Sequence, residues 1–430
     1  MREMKDSGIE WIGDIPVNWS IMPNKYLMWK KKRICPIYNG EDIISLSMNG
    51  VVIRDLEAGG KMPTTFDGYQ YIESGNLLMC LFDIDVTPRC IGLIKNNGLT
   101  SPAYSQFVLT NIANAEYYNY YYTMLDNEKT LVHLAKNLRH SLTEEQLGMI
   151  NTIVPPLPEQ KSIADFLDSK CSEIDGLISD IQKQITTLEE YKRSVITESV
   201  TKGLNPDAEM KDSGVEWIGE IPKMWDYSRL GYESYIRARL GWKGLKADEY
   251  VPEGYAFISA FNIQNNKLVW EPLNYITEER YNESPEIKLS VGDVIIVKDG
   301  AGVGKCARID ELPLGGTAPN SSIGVITPFE KLEYRYLSYY LQSAIFGNFV
   351  MKLLNGMGVP HLTQEMLGNI NILIPPKNEQ VEIADYLDEK IFEIDECISA
   401  KQEQLSVLED YKKSLIYEYV TGKKEVYVNE

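Results

Sequence analysis

The stretch Asp299 to Cys306, DGAGVGKC, sets glycines beside a lysine, the combination from which phosphate-cradling loops are made. Such a loop needs GxxxxGK followed by Ser or Thr, so that backbone amides wrap the phosphates and a hydroxyl meets magnesium. Counting back from Gly304-Lys305, the first glycine position holds Asp299 and the hydroxyl position holds Cys306. A GxGxxG pattern begun at Gly300 and Gly302 meets Lys305 at its third glycine. The spacing therefore predicts a tight glycine turn between strands. The sequences IVPP (153–156) and LIPP (373–376) lack the Asn or Asp that a DNA amino-methyltransferase places before its paired prolines. Six cysteines form no CxxC pair and three histidines are scattered, which argues against a zinc site or a disulfide framework. No paired carboxylates or Ser-His-Asp set stand at a telling spacing. No metal site and no catalytic apparatus are expected.

Binding chemistry is better represented. Trp29, Lys30, Lys31, Lys32 and Arg33 form one basic cluster. Arg237, Arg239, Trp242, Lys243 and Lys246 form another, and Lys298, Lys305 and Arg308 flank the glycine turn. Positive charge beside tryptophan suits phosphate contacts next to base or sugar packing. Arg139, His140 and His361, just before two Leu-Thr pairs, are further candidates for facing a groove. Lone charge runs are more often solvated surface than binding sites, and a surface-loop role explains Arg139, His140 and His361 equally well. The formal net charge of −19 opposes unaided binding of a polyanion, so a nucleic-acid reading rests on local patches or a basic partner.

Positioning these residues falls to a chain of 430 residues, 44% hydrophobic, enough for two or more packed cores. No apolar run approaches the roughly 18 residues of a membrane span. The opening residues lack the apolar stretch of a signal peptide, so a cytoplasmic protein without membrane contact is expected. Repetition organises the rest. MKDSGIEWIGDIPVNW (Met4 to Trp19) recurs as MKDSGVEWIGEIPKMW (Met210 to Trp225), 206 residues on, with twelve of sixteen positions identical. A longer segment from Pro155 aligns without a gap with one from Pro375, 220 residues on. The regions between, 20–154 and 226–374, are much less alike, and the second is 14 residues longer.

The long repeats read as helices. Leu167, Cys171, Ile174, Ile178, Ile181, Ile185, Leu188 and Val195 follow a heptad seam. The second copy gives Leu387, Ile391, Ile394, Ile398, Leu405, Leu408 and Leu415, with Lys401 and Lys412 interrupting it as Lys192 interrupts the first. About 36 residues at roughly 1.5 Å each make a rod of about 55 Å. Matched stripes predict that the two rods pack on each other, the alternative being that each takes a helix of another subunit. Truncating Leu188 or Leu408 to Ala is expected to cost about 2–5 kcal/mol. Gly203 and Gly422 mark the helix ends.

The variable regions read as mixed α/β. Strands are expected in 75–85 and 292–309, and helices from Glu116 to Leu138 and from Glu333 to Gly356. Thr143 and Thr363 are N-cap candidates opening short segments. Tyr117, Tyr121, Tyr336, Tyr339 and Tyr340 stand at core spacing rather than as stacking platforms.

The twin MKDSG.EWIG.IP..W segments, the twin PP..EQ..IA..LD.K..EID to LE.YK.S.I rods and GDVIIVKDG...GK together resemble the specificity subunits of type I restriction-modification enzymes over essentially the whole chain. The resemblance implies a mixed α/β protein of two pseudo-symmetric target recognition domains, at 1–154 and 205–374. They would be separated by two long helices, at 155–204 and 375–430 with the tail, paired as an antiparallel coiled coil. It implies a non-catalytic subunit that directs its enzyme to a split site in double-stranded DNA and docks two methyltransferase subunits and, through them, restriction and motor subunits. S-adenosylmethionine, ATP and magnesium would belong to those partners, with no cofactor bound by this chain. Other readings are a related two-subunit restriction-methylation system, or a coiled-coil scaffold that does not touch DNA. In the family reading the repeated opening segment anchors each domain through Trp11 and Trp19, and through Trp217 and Trp225.

Overall fold

The computed structural model describes residues 2–48, 50–58, 63–135, 140–215, 218–238, 245, 249–354 and 360–426. It divides into two compact units, Met1–Gln182 with Glu403–Glu430, and Lys183–Gln402. Each unit holds one variable region, the start of one long helix and the end of the other.

In unit 1 an antiparallel sheet runs in the order Met28–Lys31, Tyr104–Leu109, Leu77–Cys80, Ile91–Leu93. Leu77–Cys80 is buried at every position, hence its unbroken apolar run. The helix Ala115–Asn127 packs its tyrosines into this core and is capped by Asn114, whose side chain accepts the Tyr117 N–H at 2.8 Å. Tyr117 and Tyr118 donate to the carbonyls of Val420 (2.8 Å) and Ile153 (3.1 Å). Burial pushes the Tyr121 hydroxyl up to about 12, so these rings are core. The expected helix to Leu138 breaks at Lys129, which has φ +48° and restarts as Thr130–Leu134. Lys129 Nζ bonds the buried Asp126 carboxylate (2.8 Å) and the Thr87 carbonyl (2.7 Å), which pins the turn. Residues 136–139 lie outside the described part of the chain.

Unit 2 repeats the sheet as Ser234–Arg237, Ile323–Pro328, Val294–Val297, Cys306–Arg308. Its tyrosine helix, Tyr334–Gln342, is capped by Glu333. Tyr336 Oη lies 3.2 Å from the Val200 carbonyl. The single helix expected here is interrupted at Ser343. Its hydroxyl donates to the Tyr340 carbonyl (2.7 Å) and faces the Phe346 N–H, ending one helix and opening the next, Ala344–Leu354. Gly356 lies outside the described residues. A second sheet, absent from the expectations, pairs Tyr255–Ile258 in parallel with Thr317–Pro319 and antiparallel with Asn274–Ile276.

The first long helix spans Leu157–Lys202 and the second Lys377–Val420, 46 and 44 residues. Both are longer than the heptad pattern predicts, because their first turns bury Ile163, Ala164, Ile383 and Ala384 in the cores of the two units. In unit 1, Phe166 stacks near Tyr419 and Lys412 Nζ bonds Asp175 (2.6 Å). In unit 2, Lys401 bonds Gln184 (2.5 Å) and Lys192 bonds Asp395 (2.5 Å). Rising numbers face falling ones, so the helices pair antiparallel within each unit. Leu167, Ile174, Leu387, Ile391 and Ile394 are buried, while Ile178, Ile181, Ile185, Leu188, Ile398, Leu405 and Leu408 are half-buried. The three lysines that interrupt the pattern occupy the seam and reach across it.

Trp19 and Trp225 are buried against the glycines that end the helices, Gly422 and Gly203, each with φ +73°. Trp217 lies outside the described residues. Five cysteines are buried and Cys397 is exposed, and burial pushes the thiols of Cys90 and Cys306 up to about 12.

Candidate nucleic-acid interface

In unit 1 the basic cluster lies on the edge strand Met28–Lys31 and the residues after it. Alternation turns Met28 inward and leaves Trp29 half exposed. Lys31 bonds both Glu73 oxygens at 2.7 Å, and Lys30 stands 3.7 Å from Glu144. Arg33 lies over the Tyr71 ring at 4.4 Å, and Lys32 is exposed with no ion pair among the described residues. The patch is therefore a strip of partly compensated cations with one exposed indole. His140 sits at φ +41° with Nε2 4.0 Å from Asp85, and its Nδ1 is buried without a partner among the described residues. Arg139 lies outside the described residues.

Unit 2 corrects the sequence reading at Arg237. Its guanidinium is buried, donates to Asp293 (2.7 Å) and the Lys288 carbonyl (3.3 Å), and contacts Thr327. Inside a sheet, such a charge is held by its carboxylate and is not available to a groove. Arg308 is also engaged internally, with Asp310 (2.8 Å) and with Asp388 of the second long helix (2.6 Å). Burial works against the Asp388 carboxylate, but hydrogen bonds from Tyr339 and Arg308 outweigh it and hold its pKa below the ordinary value. Arg239, Trp242, Lys243 and Lys246 lie outside the described residues.

Around the glycine turn the structure does gather predicted residues. Val294–Val297 and Cys306–Arg308 are joined by a turn in which Gly300 and Gly304 take φ +80° and +90°. The segment at 360–362 is laid against it: Gly300 N–H donates to the Pro360 carbonyl (3.2 Å) and Leu362 N–H to the Lys298 carbonyl (2.8 Å). His361 Nδ1 is thereby hydrogen-bonded to Asp299, Lys298 Nζ lies 3.5 Å from the other Asp299 oxygen, and Lys305 is exposed on the same turn. Lys298 itself is buried along its stem. Asp299, which in the sequence serves only to spoil a phosphate loop, is the residue that organises this cluster.

Among the described residues no group of three metal-ligating side chains stands together, and no helix is long and apolar enough to cross a membrane.

The profile of the family described as type I restriction modification DNA specificity domain matches residues 90–187 and 241–409. The MjaVIII specificity subunit of a type I restriction enzyme from Methanocaldococcus jannaschii is 29% identical over 276 residues, 64% of this chain and 62% of that protein. The EcoKI specificity subunit of Escherichia coli is 24% identical over 209 residues, 48% of this chain and 44% of that protein. The chain thus matches about 62% of the length of the M. jannaschii relative. A chain from a solved structure of the type I R-M system shares the fold with a TM-score of 0.68 at 16% identity, covering 95% of this chain and 99% of that one. Two units on one plan, joined to paired long helices and matched by that profile over more than half the sequence, place the chain within a known group: it belongs to the type I restriction-modification DNA specificity family.

Proposed function

We propose that this chain is the DNA-sequence-specificity subunit of a type I restriction-modification enzyme. Its recognition domains, at 1–154 and 205–374, each read one half of a bipartite, asymmetric site in double-stranded DNA. Its helical segments, 155–204 and 375–430, dock two methyltransferase subunits and, through them, the restriction and motor subunits. One observation carries the reading: the same fold is built twice on near-identical frames that present unlike polar surfaces, as two readers of two different half-sites require. Adenine methylation with S-adenosylmethionine, and translocation and cleavage with ATP and magnesium, belong to the partners in the cytoplasm. This chain binds none of those cofactors and catalyses nothing itself.

The net charge of −19 and the ion pairs over Lys30 and Lys31 weaken the pull of this strip on a polyanion, so much of the backbone grip comes from partners. Mapping modified adenines in cells with and without this chain tests the reading. A bipartite motif should vanish with the gene; an unchanged methylation pattern refutes it. The isolated chain should bind DNA weakly, and nanomolar sequence-specific binding at physiological salt would overturn the dependence on partners.

A further inference from the structure

The Asp299–His361 pair fixes more than a position. An ionised carboxylate only accepts hydrogen bonds, and the imidazole meets it through Nδ1, so in the neutral ring the proton resides on Nδ1. On that neutral ring Nε2 is a bare acceptor. Lys298 holds the second carboxylate oxygen from the inside, and the antiparallel bridge between Asp299 and His361 fixes both backbones. The His361 side chain is half exposed. A bare acceptor has nothing to gain from a phosphate, which also only accepts, and protein contacts to phosphates come from donors. What an acceptor recognises on DNA is an exocyclic amine: adenine N6 or cytosine N4 in the major groove, guanine N2 in the minor.

We infer that His361 is a specificity-determining residue of unit 2, accepting through Nε2 a hydrogen bond from an exocyclic amine of one base in its half-site, with Asp299 as the positioning residue that sets the tautomer. The inference rests on the proposed DNA-reading function. Unit 1 has no equivalent arrangement among its described residues: Ser141 stands 220 positions before His361, and His140 meets Asp85 through Nε2.

The test uses the complex of this chain with its methyltransferase subunits, assayed for methylation of duplexes varied at each position of the target. His361→Ala should reduce discrimination at one base pair of one half-site by about fivefold or more, leaving the other half-site unchanged. Asp299→Asn, which frees the tautomer, should relax the same base pair to a smaller degree. Replacing guanine by hypoxanthine, or adenine by purine, at that position then tells which amine is read. Both variants should melt with the wild type. Loss of activity that is uniform across sequences, as removal of a phosphate contact gives, would overturn the inference. So would relaxation at the other half-site, or no change at all. Wild-type complex that shows no bipartite preference would overturn the underlying function as well, so the two failures are distinguishable.

Discussion

Tyr117 in unit 1 donates to the carbonyl of Val420, near the end of the second long helix, and Tyr336 in unit 2 faces the carbonyl of Val200, near the end of the first. Val200 and Val420 are 220 residues apart, as are Asp175 and Asp395, and Lys192 and Lys412. The repeat in sequence is thus a repeat of hydrogen bonds. Elsewhere the units part. Trp19 Nε1 donates to Glu159 at 3.0 Å, and Arg2 holds that carboxylate; Ala208 stands 206 residues after Arg2, and Trp225 Nε1 is buried without a partner among the described residues. At the turn after the central strand, Leu142 N–H bonds the Leu81 carbonyl and Leu362 N–H the Lys298 carbonyl, so Asp83 (φ +46°) stands where Gly300 (φ +80°) does. The fold dictates the backbone there and leaves the side chains open. A position under that kind of constraint can change its chemistry without changing the frame, which is what a replaceable reader needs.

The strongest way to separate frame from readers is to lengthen the helices alone. Inserting seven residues into both, after Gln182 and after Gln402 where the units divide, adds two turns and keeps the heptad. The enzyme should then demand a longer spacer with both half-sites unaltered. Unchanged spacer preference in methylation sequencing would show that helix length does not set the distance between the half-sites.

Next in size are the seam residues. Leu167→Ala and Leu387→Ala remove fully buried side chains and should each cost about 2–5 kcal/mol in urea unfolding. Leu188 and Leu408 are only half-buried, so the 2–5 kcal/mol expected from periodicity falls to about 1–2. Equal costs at buried and half-buried positions would contradict the packing.

This shows where sequence was sufficient. Heptad spacing found the seam because burial in a helix pair is periodic, and tyrosine spacing found the core faces for the same reason. Long-range pairing has no period. Arg237 and Lys30 look alike in the chain, and it is pairing with Asp293, 56 residues away, that keeps the arginine's charge internal. The break at Ser343 was hidden because a serine is compatible with a helix until its hydroxyl takes over capping at both sides. The glycine turn was legible as a turn. Its partnership with His361 depends on a bridge spanning 62 residues.

The helix-ending glycines sharpen the comparison. Both have φ +73°, which costs a side chain about 1 kcal/mol. A Cβ at Gly422 would lie 2.6 Å from Pro16 Cδ and 2.8 Å from Trp19, whereas at Gly203 it would meet Trp225 at 3.2 Å and the movable Glu379 carboxylate at 2.9 Å. Gly422→Ala should therefore cost about 2–4 kcal/mol and Gly203→Ala about 1–2. The reverse order in thermal unfolding would mean that the two tryptophan seats are not built as described.

The smallest difference lies in the crossing ion pairs. Asp175 in unit 1 faces Lys412 and is more than half exposed. Asp395 in unit 2 accepts from both Lys192 (2.5 Å) and Lys267 (2.9 Å) and is largely covered. Burial raises the pKa of Asp395, but hydrogen bonds from Lys192 and Lys267 outweigh it, leaving the folded value below the ordinary one. A depressed carboxylate contributes stability that is full above its unfolded value of about 3.9 and is lost as pH falls through the folded value. Asp395→Ala should then cost about 1 kcal/mol at pH 7, because it strips the partner from a half-buried lysine, and Asp175→Ala less than about 0.5. At a pH below that depressed folded value the Asp395 variant should lose its disadvantage, since the wild-type carboxylate is then protonated. Urea midpoints at the two pH values check this, and a penalty for Asp395→Ala that persists in acid would show that packing rather than charge holds that crossing.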